Sequence, residues 1–177
     1  MSQTGTTATF DEFAAIFHAE HRTVRDLLLE LVDAFESRDL GRANALLGKT
    51  AAVTGPHFRY EEDALYPAVV SIFGGEYVEK LLGDHDFAIS SAARLVELAA
   101  QDALDDKRVD EAIRLVRGIL PHVSDCDGLS IMVEVLPPAA VESLLATRAA
   151  ALEDGLDLLS WAAEVRTRPV GAATQTS

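Results

Sequence analysis

Four of the five histidines in this 177-residue chain stand on apolar helical stripes. His21 fills the step between Phe17 and Val24, and His85 lies between Leu81 and Ile89. Another stripe reads Leu46, Val53, His57, Glu61, Leu65, Ala68, and a fourth Leu115, Ile119, His122, Cys126, Leu129, Val133. His18 is one step off its stripe. A single histidine so placed is more often a hydrogen-bonded core residue than a ligand. An unpaired buried polar group costs on the order of 1–3 kcal/mol, and an ionised carboxylate more. A domain of this size has only about 5–15 kcal/mol of net stability. Four imidazoles and two or three carboxylates facing inward therefore need a common partner, and a transition-metal cation satisfies them together.

Two stretches with Pro-His near their start carry two of the four histidines: "TGPHFRYEEDALYP" and "ILPHVSDCDGLSIM". At about 100° per residue, His57 and Glu61 differ by about 40° and point the same way one turn apart. His122 and Asp127 are five apart, about 140° around an ideal helix. Pro121 removes a backbone hydrogen bond and crowds the preceding turn. A π-type widening there would bring Asp127 round beside His122, with Cys126 packed next to it. A plain kink that curves the helix around the core is the other reading of both prolines.

The elements that must position these residues are helices, and no strand pattern is present. Thr9 and Glu12 have the spacing of a capping box, which predicts a helix start at Thr9. Phe10, Phe13, Phe17, Val24, Leu28, Leu31 and Phe35 then mark one face. Further helices are predicted over about 42–73, bent at Gly55-Pro56, over 76–101, and over 107–136, interrupted at Pro121. A last helix spans roughly 139–165. His21 to His57 is 36 residues and His85 to His122 is 37, so the second helix pair repeats the first. The expected fold is all-α: an antiparallel four-helix bundle over 9–136 with an appended C-terminal helix over 137–166. Residues 1–8 and 167–177 are small and polar, and are expected to be disordered tails.

Composition narrows the function. The net charge of −14 repels phosphate backbones and anionic lipid, which speaks against nucleic-acid and membrane-surface roles. One cysteine excludes an internal disulfide and fits a reducing compartment. No apolar run approaches the roughly 20 residues of a membrane span, and no signal peptide is visible. A cytoplasmic protein is expected.

In "EHRTVRDLLLEL" around His21, "HFRYEEDALYP" from His57, "DHDFAISSAARLVEL" around His85 and "HVSDCD" from His122, the chain resembles the hemerythrin-like family. That family is also described by its His-His-Glu cation-binding motif. The resemblance covers about residues 10–136. It implies a four-helix bundle holding two non-haem irons, typically bridged by an oxo or hydroxo group and two carboxylates. By this resemblance His21, His57, Glu61, His85, His122 and Asp127 are the metal ligands. Many bacterial relatives have HxxxE on the fourth helix, where this chain has Cys126. The oxygen carriers have HxxxH on the third helix, where the first position here is Leu81. His18, Tyr60, Asp84 or Glu62 would have to replace the missing imidazole. Glu62 otherwise reads as a solvated group or one standing behind the ligands. Tyr60 and Tyr66 read as ligands, proton donors or core residues, and Cys126 as a small core residue or a thiolate ligand.

A gap at Leu81 leaves more open coordination than reversible carriage needs. The expected function is therefore activation of O2 or peroxide at a di-iron site, as an oxidase, oxygenase or peroxide-removing protein. The alternatives are a non-catalytic carrier, sensor or store for O2, NO or iron, and a mononuclear or different-metal site. A small-molecule substrate is compatible with the first reading, and the oligomeric state is left open.

Overall fold

The computed structural model describes residues 3–170, and the side chains of residues 9–170 apart from Met132. Helix α1 (Gln3–Glu36) is followed by α2 (Leu40–Tyr60), a π-helical turn (Glu61–Leu65) and α3 (Tyr66–Phe73). Then come α4 (Gly75–Ala99), α5 (Asp106–Asp127), the short α6 (Leu129–Val133), α7 (Pro138–Asp154) and α8 (Leu158–Glu164). No strand occurs among the described residues, and none of their helices is long and apolar enough to cross a membrane.

The turns between helices follow local chemistry. Asp39 caps α2 by accepting from the Arg42 N–H at 2.9 Å, and Asp105 caps α5 in the same way from Arg108 at 2.9 Å. Arg38 adopts a left-handed φ of 58°, and its guanidinium ties this corner to the carbonyl of Leu104 at 2.6 Å and to Asp106. Gly155, at φ 64°, ends α7 where a side chain would be strained. Asp157 then restarts the chain as α8 by accepting from the Ser160 N–H.

Helices α1, α2, α4 and α5 form the bundle: α1 packs on α2 and α5, and α4 packs on the same two from the opposite side. The core has two apolar layers. One contains Val24, Leu28, Phe58, Ala88, Ile89, Ile119 and Val123, and the other Phe13, Phe17, Leu65, Tyr66, Leu81, Cys126 and Leu129. The second layer comes first along α1 and α4, but last along α2 and α5, so neighbouring helices are antiparallel. Every bundle histidine falls where its helix passes from one layer to the other. Outside the bundle, α7 lies against α1 and α2, and α8 against α2 and α4. Gly55 makes the α8 contact possible, because a Cβ there would stand 2.3 Å from the Leu156 carbonyl oxygen.

Several boundaries differ from those read in the sequence. Helix α1 begins at Gln3, so Thr9 lies within it and the Thr9/Glu12 pair is not its cap. With no proline upstream, each residue added to an existing helix gains a hydrogen bond without a new nucleation cost. Helix α2 runs through Pro56 without a break, and α5 likewise runs through Pro121. The fourth helix is interrupted at Gly128 instead. The π turn predicted near Pro121 is found on the second helix, directly before Pro67. Pro67 cannot donate to the carbonyl four residues back and crowds that turn. There the Tyr66 N–H reaches back five residues to the Glu61 carbonyl. The expected final helix is split into α7 and α8 at Gly155. Of the two predicted tails, residues from Gln3 are helical, and Arg168 is paired with Asp86 and Glu79. Residues 1–2 and 171–177 lie outside the described residues.

Candidate metal centre

The polar layer between the two apolar layers is built from His21 on α1, His57 on α2, Glu61 at the start of the π turn, His85 on α4 and His122 on α5. All five are buried. Their ligand atoms fall into two groups, His21, His57 and Glu61 on one side and Glu61, His85 and His122 on the other. Within each group these atoms lie within 4.8 Å of one another. Glu61 divides its carboxylate between the groups. Its Oε1 is 3.3 Å from His57 Nε2, and its Oε2 is 3.1 Å from His85 Nε2.

Three of the four imidazoles are held from behind. His57 donates through Nδ1 to Glu20 Oε2 at 2.8 Å, and His85 through Nδ1 to Glu62 Oε1 at 2.8 Å. His21 donates through Nδ1 to the Phe17 carbonyl, one turn back, at 2.9 Å. An outward Nδ1–H bond of this kind fixes the ring and leaves Nε2 as the inward atom. The His85 ring also lies flat on Phe58, with centroids 3.7 Å apart and planes 5° apart. His122 is different: neither ring nitrogen has a hydrogen-bond partner, and Asp84 Oδ2 is 3.6 Å from Nδ1, beyond bonding reach.

The charges follow from this arrangement. Burial disfavours the cation of His57, but Glu61 and the hydrogen bond to Glu20 outweigh it and raise its pKa to about 9. For His85 burial is likewise outweighed, by hydrogen bonds to Glu61 and Glu62, and the value is raised. Burial raises the pKa of Glu61, yet the charge of His57 and the bonds from His57 and His85 drive it well below the usual carboxylate range. Burial, with the charge of His57, lowers His21 to about 4. Burial also lowers His122, helped by the charge of His85. Glu61 thus favours the cations of His57 and His85 on either side of it, while burial disfavours those of His21 and His122.

Two further groups touch Glu61. The Tyr66 hydroxyl is 3.4 Å from Oε2 and 3.0 Å from His85 Nε2. The Cys126 thiol donates to Oε1 at 3.3 Å and lies 3.5 Å from the Tyr66 hydroxyl. Burial and the nearby Glu61 charge push this thiol well above its usual pKa, so it is not a thiolate in this setting. The π turn explains the position of Tyr66. Residues five apart would differ by about 140° on an α-helix, but the i→i−5 step stacks Tyr66 over Glu61.

Asp127 lines a small cavity beside His21 but joins neither ligand group. Helix α5 is regular up to Asp127, so Cys126, four residues after His122, faces inward and Asp127 is carried around the side. Its Oδ1 instead binds His18 Nδ1 at 2.6 Å, and His18 Nε2 contacts the Ser130 hydroxyl at 3.1 Å. His18 is thus engaged away from the place opposite Leu81. Leu81 itself is fully buried in the Tyr66 apolar layer. Tyr60 donates to Glu20 at 2.9 Å, and Asp84 binds Lys80 at 2.9 Å. Glu62 stands behind His85 and is bound by Arg166. Sequence reading missed Glu20, Arg148 and Arg166. Glu20 precedes His21 by one residue, but no periodic signal pairs it with His57, which belongs to another helix.

The residues fit a transition metal. The donor set is imidazole and carboxylate, two of the rings carry the carboxylate support common behind metal-bound histidines, and His122 is a buried imidazole with no other partner.

An antiparallel four-helix bundle that surrounds one carboxylate with four inward imidazoles defines a cation-binding helical bundle. The hemerythrin HHE cation binding domain matches residues 12–129, well over half of the chain, and the chain belongs to that family. No curated protein and no solved structure matches it.

Proposed function

We propose that this chain binds two iron ions and reacts there with O2 or peroxide; His21, His57 and Glu61 would hold one, and Glu61, His85 and His122 the other. The observation that carries the reading is the division of Glu61, one oxygen facing His57 and the other His85. When bound, iron supplies the electrons and the Lewis acidity for such chemistry.

The chain's own residues have definable parts in it. His57 and His85 give up the Nε2 protons that now face Glu61, while Glu20 and Glu62 retain the Nδ1 protons and hold the rings in place. Tyr66 keeps its phenolic proton, because burial and the neighbouring Glu61 charge raise its pKa well above the usual value. Its hydroxyl reaches both Glu61 and His85, which makes it a proton donor for either. The two apolar layers and the Phe58 ring exclude water from the centre. An apolar cavity of ≈ 50 Å³ borders His122 and Phe58, between Leu28, Ala92 and Ile119. A small apolar molecule such as O2 suits that lining. The absence of an imidazole at the fully buried Leu81 favours reaction over reversible carriage.

The test is metal analysis of anaerobically iron-loaded protein, with absorption spectra before and after O2. Two irons per chain, with a spectrum that O2 changes irreversibly, is the expected result. Absence of iron uptake, or uptake unaffected by His57→Ala and His122→Ala, would overturn the reading. Recovery of the starting spectrum under vacuum would make the protein a carrier.

A further inference from the structure

Both carboxylates that stand behind the central histidines are themselves gripped by an arginine, and both arginines lie outside the family match. Glu20, whose Oε2 accepts from His57 and Tyr60, receives Arg148 of α7 on Oε1 through Nε at 2.7 Å and Nη2 at 2.6 Å. Glu62, which accepts from His85, receives Arg166, just beyond α8, through Nε at 2.9 Å and Nη2 at 2.8 Å. Arg166 also donates through Nη1 to Asp86 at 2.7 Å, and Arg168 takes the other Asp86 oxygen at 2.9 Å. The Arg166 side chain is 1% exposed. The family match ends at residue 129, so neither arginine belongs to it.

An ion pair that only joins helices has no reason to end on a ligand's imidazole. Here the same chain of contacts, arginine to carboxylate to imidazole Nδ1, occurs once in each half of the centre. It is assembled from unrelated stretches: α7, α1 and α2 in one half, and the C-terminal segment, the π turn and α4 in the other. A carboxylate held by both an arginine and a histidine cannot rotate freely: Arg148 takes the Glu20 oxygen that His57 leaves, and Arg166 forks across both Glu62 oxygens. We infer that the segment from 138 to 168 is part of the metal centre, with Arg148 and Arg166 as the positioning residues for His57 and His85. This inference rests on the metal-binding reading of the four histidines and Glu61.

The test is anaerobic titration of the full chain with Co(II), read by visible absorption, alongside far-UV circular dichroism of each variant. Wild type is expected to take two equivalents. Arg148→Gln and Arg166→Gln are each expected to keep the helical signal and to weaken one equivalent by about 10- to 100-fold, with changed bands for that equivalent alone. Arg148→Lys and Arg166→Lys, which keep the charge without the planar fork, should recover only part of the loss. Should a glutamine variant lose helical signal, Glu20→Gln or Glu62→Gln replaces it, with the same one-equivalent loss expected. Two equivalents bound by these variants with wild-type affinity and bands would overturn the inference and leave the metal reading standing. Equal weakening of both equivalents by each variant would also overturn it. If wild type takes up no Co(II), the metal reading fails and the inference with it.

Discussion

The two halves of the centre share Glu61 and differ in how completely they are satisfied. On the α1/α2 side, His21 has the Phe17 carbonyl and His57 has Glu20, so each ring has a hydrogen-bond partner besides the shared carboxylate. On the α4/α5 side, His85 is bonded and stacked, but His122 has no hydrogen bond at either nitrogen. In the first half both rings are held at Nδ1 without a metal. In the second half one ring is held and the other is not. The same repeated pattern in sequence therefore yields one half that folding alone anchors and one half with a ring that a cation would satisfy.

The largest effect should come from removing what the halves share. Glu61→Ala removes the acceptor that His57 and His85 share in a dry layer. Loss of one partner of a buried pair costs about 3–5 kcal/mol. A lowered urea midpoint of the metal-free protein, with loss of both metal equivalents, is expected. An unchanged midpoint would show that the layer is not charged as described.

The halves themselves separate in the next comparison, made on metal-free protein by urea unfolding. His57→Leu takes one partner each from Glu20 and Glu61 and should cost about 1–3 kcal/mol. His122→Leu removes two unbonded nitrogens and should be neutral or stabilising by up to about 1 kcal/mol. With metal added, both variants should lose one equivalent. Equal destabilisation by the two changes in the metal-free state would erase the asymmetry.

Protons provide a third comparison. His57, raised to about 9, must release its Nε2 proton to bind a cation, so metal affinity should rise with pH from about 7 to 9. The slope is about tenfold per pH unit for each proton displaced, measurable by titration at two pH values. In the metal-free protein the sign is opposite. A folded-state value above the unfolded one stabilises fully below the ordinary histidine range, and that contribution is lost as pH rises through about 9. His21, lowered to about 4, acts from the other side: its contribution falls as pH drops from the ordinary range towards 4. Urea midpoints across pH should show both flanks. The smallest effect is expected for Cys126→Ser, which keeps a donor to Glu61. It should change stability by about 1 kcal/mol or less and leave metal stoichiometry and absorption bands unaltered.

The stripes that carry His21, His57, His85 and His122 were legible because helical period and burial coincide in one dimension. Glu61 was legible because it is four residues from His57 on one of the same stripes. Asp127 was misplaced because its inward position required a widened turn at Pro121, and α5 absorbs that proline without one. The widening falls before Pro67 instead, and there it recruits Tyr66, five residues from Glu61. Glu20, Arg148 and Arg166 were not legible. Their meaning lies in contacts between helices far apart in sequence, and α7 has no marked apolar face that would have announced how it docks.

Counted in residues, the π turn holds one amino acid more than the same turn of an α-helix. Were the exposed Asp63 deleted, Glu61 and Tyr66 would stand four apart on a regular helix and still share a face. His57 and Glu62 would keep their offsets from Glu61. A deletion elsewhere between ligands of one helix would rotate everything beyond it by about 100°. At this one place the chain can lose a residue and keep its alignment.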